Sequence, residues 1–327
     1  MSEDLANNLA SAFRRRFGDA VQIADLKSLS GGASAETWKF DVITSESRLP
    51  LILQRMAGAQ QFEASLDRVL QSRVQSAAFE GGVPVAQVQF AFDDVDNLGN
   101  GFVMRRVEGE TLGPRILKLD EFAAARAGMT RQCAEILVRI HALDTKSLPV
   151  LPVRGARDSL DSLSGIYRRF GEELPVFELA LQWLEDHVPA QGGTTLVHGD
   201  FRLGNFIVGA EGIRAVLDWE MAHIGDPAED FGWICVPSWR FGQLEHEVGG
   251  FGKLRDLISC YETAGGRAVD AQRVRFWTVL GCLKWGLICL FFAFQYLNGD
   301  VPAIERAVIG RRTSETELDL LKLMRGA

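Results

Sequence analysis

At 327 residues the chain exceeds what one small core fills and fits two lobes or two modest domains. Hydrophobic residues at 47% and charged residues at 24% are ordinary for a globular protein, and a formal net charge of -8 excludes nucleic-acid binding that lives on phosphate attraction. Small anionic ligands stay open, because a local field can oppose the net charge.

The N-terminal stretch MSEDLANNLASAFRRRF has no apolar signal core. It reads as an amphipathic helix over 3–17, with Arg14, Arg15 and Arg16 on a solvated face. Strands are predicted at 21–28, 35–43, 49–55, 87–93 and 101–107 from their β-branched and aromatic content. A helix over 63–80 interrupts them and ends at GGVPV. Beyond Gly109 the pattern turns helical, at 120–143, 158–172, 175–188, 243–264, 270–297 and 313–325. A short hairpin, 205–209 and 212–217 around the loop AEG, is embedded among these helices. The layout is an α+β protein with a small β-rich lobe (1–107) and a larger helical lobe (108–327).

Residues 276–297 are long and apolar enough to span a bilayer, but Lys284 near the middle argues for a buried core helix and no membrane is expected. Cys133, Cys235, Cys260, Cys282 and Cys289 are odd in number and form no CxxC pair. Neither a zinc site nor a disulfide framework is expected, and a reducing cytoplasm is the expected compartment.

The chemistry concentrates in HGDFRLGN (198–205) and DWE (218–220). A tight hairpin brings its ends together, so Asn205 and Asp218 are expected to be neighbours. One carboxylate and one amide oxygen suit Mg²⁺ when phosphates and water complete its shell. Asp200, one loop away, is then free to orient a substrate hydroxyl, and phosphoryl transfer needs little more than positioning and charge neutralisation. Turn and cap roles are the alternative for each residue singly; the combined spacing is far more restrictive.

The segments LVHGDFRLGNFIV and AVLDWEMAHIGDPAEDFGW, with LVRIHALD (137–144) and GFVMRRVEGETL (101–112), resemble the aminoglycoside phosphotransferase family, a branch of the protein-kinase-like fold. The resemblance covers nearly the whole chain and is nearest to the kinase-like domains associated with acyl-CoA dehydrogenases. It implies Asp200 as catalytic base, Asn205 and Asp218 as Mg²⁺ ligands, and His198 as structural support of the catalytic loop. Asp226 and Asp230 are implied to tie loop to helix. Arg202 is open between an acidic substrate group and a structural carboxylate, and Glu220 is a candidate on the substrate side. The loop LSGGASAETWKF (29–40) offers Gly31, Gly32 and Ser34 to phosphates. FVMRR (102–106) resembles the hinge, where the carbonyl of Arg105 and the amide of Val107 would bond adenine and Met104 would line the pocket.

One position departs from the family. Its third strand carries a Lys or Arg for the phosphates, steadied by a Glu on the next helix. Here that strand reads LILQRM, which places Gln54 at the phosphate position with Arg55 next door, and the helix position falls on Gln71. Neighbouring strand residues face opposite ways, so one of Gln54 and Arg55 faces the cleft. A Gln54–Gln71 pair would keep geometry and lose a charge contact. The expected activity is ATP-dependent phosphorylation of a small-molecule hydroxyl, with GTP as alternative nucleotide and a hydroxyacyl thioester among the candidate acceptors. An aminoglycoside kinase and a catalytically silent nucleotide-binding or scaffolding protein are the competing readings. The first demands a strongly acidic cleft, which Arg168, Arg169 and Arg202 interrupt.

Overall fold

A computed structural model of the chain describes residues 2–18, 21–29, 35–56, 62–63 and 65–325. Gly31, Gly32 and Ser34 lie outside the described residues.

Helix α1 (Ser2–Phe17) precedes strands β1 (Gln22–Leu29), β2 (Ala35–Ile43) and β3 (Arg48–Met56). Helix α2 (Arg68–Glu80) follows, then β4 (Val88–Ala91) and β5 (Gly101–Arg105). The five strands form one antiparallel sheet in the order β1-β2-β3-β5-β4. Side chains alternate across it. Phe40, Val42, Leu51 and Leu53 join Leu5, Leu9 and Phe13 of α1 in one core. Thr37, Lys39, Ile52 and Gln54 line the cleft on the other face.

The helical part runs α3 (Gly113–Lys118), α4 (Ala123–His141), α5 (Ala156–Phe170) and α6 (Pro175–Asp186). Strands β6 (Thr195–Val197), β7 (Phe206–Gly209), β8 (Gly212–Val216) and β9 (His223–Gly225) come next. Helices α7 (Ala228–Ile234), α8 (Leu254–Thr263), α9 (Ala271–Leu297), α10 (Ile304–Gly310) and α11 (Thr313–Arg325) complete the chain. β7 and β8 form the expected hairpin, and β6 pairs with β9. The chain is mixed α+β, with a small sheet-rich lobe and a larger, mostly helical one.

Two helix starts differ clearly from the sequence expectations, and some short elements were not expected. The helix expected from 63 starts at Arg68, because the Asp67 side chain caps it by accepting from the Leu70 amide at 2.9 Å. The helix expected from 243 starts at Leu254, since Gly249 and Gly250 adopt φ of +53° and +80° and break the turn before it. α7, α10 and the β6–β9 pair were too short to show a period in the sequence.

α9 has the length and composition of a membrane span, yet it is mostly buried against α7, α10 and α11. Its central Lys284 forms a 2.7 Å ion pair with Glu63, which explains the cation inside an apolar helix.

Candidate active site

Asp200 lies in the loop between β6 and β7, and among the described residues its carboxylate is held by three donors. Oδ1 accepts from Trp233 Nε1 at 2.5 Å and from Arg202 Nε at 2.9 Å. Oδ2 accepts from Asn205 Nδ2 at 2.5 Å. A carboxylate offers about four acceptor positions, so one remains, on Oδ2. Arg202, whose partner the sequence left open between substrate and protein, engages Asp200, and its guanidinium stacks 4.4 Å over the ring of Trp239.

Asn205 also donates Nδ2 to the Asp200 carbonyl at 3.0 Å, which leaves Oδ1 without a hydrogen bond among the described residues. The Leu217 amide donates to the Asn205 carbonyl at 2.8 Å, so the two hairpin ends are adjacent. β8 ends at Val216, two residues before Asp218, which had been expected to close the strand. Asp218 instead adopts φ 64°, ψ 67°, a left-handed conformation that a non-glycine residue rarely takes. Burial, with the carboxylates of Glu220 and Asp200 nearby, pushes its carboxyl up to about 7. A carboxylate that resists ionisation among other carboxylates, beside an amide oxygen, is a donor set that a hard divalent cation satisfies. No cluster of three or more His, Cys, Asp or Glu ligands occurs among the described residues.

The loop is braced from beneath. The Asp200 amide donates to His198 Nδ1 at 3.2 Å, which makes Nε2 the protonated nitrogen, donating to the Leu217 carbonyl at 3.0 Å. Burial lowers the His198 pKa, so the ring works as a neutral brace between the Asp200 loop and the strand leading to Asp218. Asp230, fully buried in α7, accepts from the amides of His198 and Gly199 at 3.0 Å each and pairs with His141 of α4. Asp226 bonds the Ala228 amide at the start of α7 and reaches Trp277 and Arg273. Gly199 has φ +77°, and a Cβ there would sit 2.5 Å from the Met221 carbonyl oxygen, so only glycine fits.

A cavity of about 560 Å³ lies under the sheet, lined by Gln54, Met104, Arg105 and Val107 together with Lys39 and Leu217. Arg55 turns to the other face and pairs with Glu36 at 2.7 Å. The Arg106 amide bonds the Pro50 carbonyl at 3.0 Å, whereas the Val107 amide meets no protein acceptor among the described residues. Gln71 accepts from Arg68 Nη1 at 2.6 Å, one turn earlier on the same helix face, and the structure records no Gln54–Gln71 bond. Glu220, expected toward the acceptor, pairs with Arg68 at 2.8 Å, linking the residues after Asp218 to the start of α2.

The model of the phosphotransferase enzyme family matches residues 25–267, well over half of the sequence. The chain belongs to that family. Over 271 residues this phosphotransferase-family chain is 27% identical to acyl-CoA dehydrogenase family member 11 of Pongo abelii, covering 76% of this chain and 34% of that protein. It thus spans about a third of that relative's length. A provisionally named aminoglycoside phosphotransferase from Ralstonia eutropha superposes with a TM-score of 0.76 at 21% identity, over 98% of both chains. A thermostable mutant of aminoglycoside phosphotransferase APH(4)-Ia, solved with ADP and hygromycin B, superposes with a TM-score of 0.62 at 16% identity, over 97% of this chain and 98% of that one. The fold is therefore the two-lobed kinase-like one.

Four residues of this phosphotransferase-family chain escaped the sequence reading. Trp233 and Arg68 touch Asp200 and Glu220 directly, while His141 and Tyr261 complete the polar chain below Asp230, 3.0 Å apart. His141 stood inside the quoted LVRIHALD segment; a tryptophan in GDPAEDFGW and an arginine opening a helix carry no signal of their own. Trp233 also walls a second cavity, about 520 Å³, with Phe62, Glu63, Arg154, Arg169 and Lys284.

Proposed function

We propose that this chain transfers the terminal phosphoryl group of ATP to a hydroxyl of a small molecule. The observation that carries the reading is the coupling of Asp200 to Asn205 and Trp233. Among the described residues one carboxylate is fixed by three donors and keeps one open acceptor position, beside an asparagine whose oxygen is also open. Held this way, Asp200 orients the acceptor hydroxyl and takes its proton as the phosphoryl group arrives. Asn205 and Asp218 would hold Mg²⁺, which when bound neutralises phosphate charge. The sheet cavity takes the nucleotide. Met104 lines the adenine end, and the Arg105 carbonyl and Val107 amide supply the hinge bonds. Gln54 faces the phosphates, Gly31, Gly32 and Ser34 are assigned to phosphate binding from the sequence, and GTP is the alternative nucleotide. His198, Asp226 and Asp230 keep the loop in register. On this reading the nucleotide-binding unit is residues 1–107 and the acceptor unit 108–327, acting in the cytoplasm.

The acceptor enters the cavity walled by Trp233. Its charged lining mixes Arg154, Arg169 and Lys284 with Glu63, Asp158, Asp161 and Glu229, which is not the uniformly acidic wall a polycationic aminoglycoside requires. Likeness to acyl-CoA dehydrogenase family members supports a hydroxyacyl thioester as acceptor. Phosphoryl transfer from ATP across a panel of hydroxyacyl thioesters, amino alcohols and aminoglycosides, followed by product mass, tests this. Turnover confined to one hydroxyl class is expected. Nucleotide binding without transfer to any member would instead favour a silent nucleotide-binding protein.

A further inference from the structure

The cation missing from the phosphate position of the third strand stands, we propose, on its neighbour: Lys39 of β2 supplies the charge contact to the nucleotide's phosphates. This rests on the kinase reading above and adds a residue to it. The cleft face of the sheet shows which positions can serve. Thr37 lies opposite Gln54 in the register of β2 and β3, and Lys39 lies opposite Ile52. Lys39 and Gln54 are thus diagonal neighbours on one face, a separation of about 7–8 Å that long side chains bridge. Both line the same cavity.

The other cations around this cavity are committed or badly placed. Arg48 is held by Asp41 and Asp25, and Arg106 by Asp41 and Glu108. Arg55 faces away, toward Glu36. Arg68 is committed to Glu220 and Gln71. Arg105 lies on β5, across β3 from Lys39, and pairs with Leu51 of the core packed against α1. Lys39 makes no hydrogen bond or ion pair among the described residues and is half-buried in the cavity wall. Lys27 lies directly opposite it in the β1–β2 register and lines the same cavity, more exposed. Like charges directly opposed across strands repel, and a polyphosphate between them turns that repulsion into attraction. Lys39 is the main contact because β2 neighbours β3, while Lys27 stands one strand further out on the sheet edge.

Calorimetry on the full chain, with Mg·ATP and with adenosine as separate titrants, tests this. Lys39→Met is expected to weaken Mg·ATP about 10- to 100-fold, the worth of one charge-assisted hydrogen bond, and to leave adenosine unchanged. Lys39→Arg is expected to keep most of the Mg·ATP affinity. Adding Gln54→Lys to Lys39→Met is expected to restore it, by returning the charge to the third strand. Unchanged Mg·ATP affinity in Lys39→Met would overturn the proposal and leave the kinase reading standing. Equal loss of adenosine and Mg·ATP would also overturn it, since the effect would not be on phosphate. A wild-type chain that binds neither titrant would bring down the kinase reading itself, and this proposal with it.

Discussion

The indole of Trp233 donates Nε1 to Oδ1 of Asp200 at 2.5 Å while the same ring walls the 520 Å³ cavity beside it. The proposed base and the proposed acceptor pocket therefore share one side chain. Trp233→Phe keeps most of the packing and removes the bond. Its expected effect is a fall in kcat of about 10- to 100-fold, the worth of one hydrogen bond to a charged group. The Kd for Mg·ATP is expected to be unchanged. Steady-state kinetics with the acceptor found in the panel, beside calorimetry, separates the two.

Asp230 links three elements through one buried carboxylate. Asp230→Ala would strand the amides of His198 and Gly199, a cost of about 3–5 kcal/mol measurable by urea unfolding. Burial opposes ionisation of this carboxyl, but the hydrogen bond and charge of His141 overcome it and hold the pKa below the ordinary value. A folded pKa below the unfolded one means a contribution fully present above the ordinary carboxylate value, about 4, and lost as pH falls through the lowered folded value. Wild-type stability should therefore drop in that acid range, and Asp230→Asn should flatten the drop.

Glu63 and Lys284 join the segment before α2 to the middle of α9 at 2.7 Å. Lys284→Met leaves Glu63 as a largely buried, unpaired charge and is expected to cost about 3–5 kcal/mol. The double change Glu63→Gln with Lys284→Met is expected to recover most of that, because no uncompensated charge remains. Denaturant midpoints of the two single variants and the double variant give the coupling directly.

The parts legible in the sequence were those with a period or a dense spacing. β2, β3 and α9 were readable because their apolar patterns run for nine residues or more. The adjacency of Asn205 and the residues leading to Asp218 was readable because a hairpin of fixed length separates them. Partners set by tertiary contact alone stayed hidden. Arg68 meets Glu220 across about 150 positions of sequence, and nothing local to either announces the other. Gln71 was placed opposite Gln54 by family pattern, whereas Arg68, three residues away on its own helix, takes its oxygen. Nothing in the strand pattern singled out Lys39, which the register places diagonal to Gln54.

The division of labour between Asp200 and Asp218 is tested most directly by calorimetry of Mg·ATP on Asp200→Asn and Asp218→Asn, with turnover measured alongside. Asp200→Asn is expected to lose about 10²- to 10⁴-fold in turnover, the range for a positioned general base, and to bind Mg·ATP as the wild type does. Asp218→Asn is expected to lose the Mg²⁺-dependent part of nucleotide binding. Equal loss of nucleotide affinity in both variants would contradict the assignment of one carboxylate to the hydroxyl and the other to the metal.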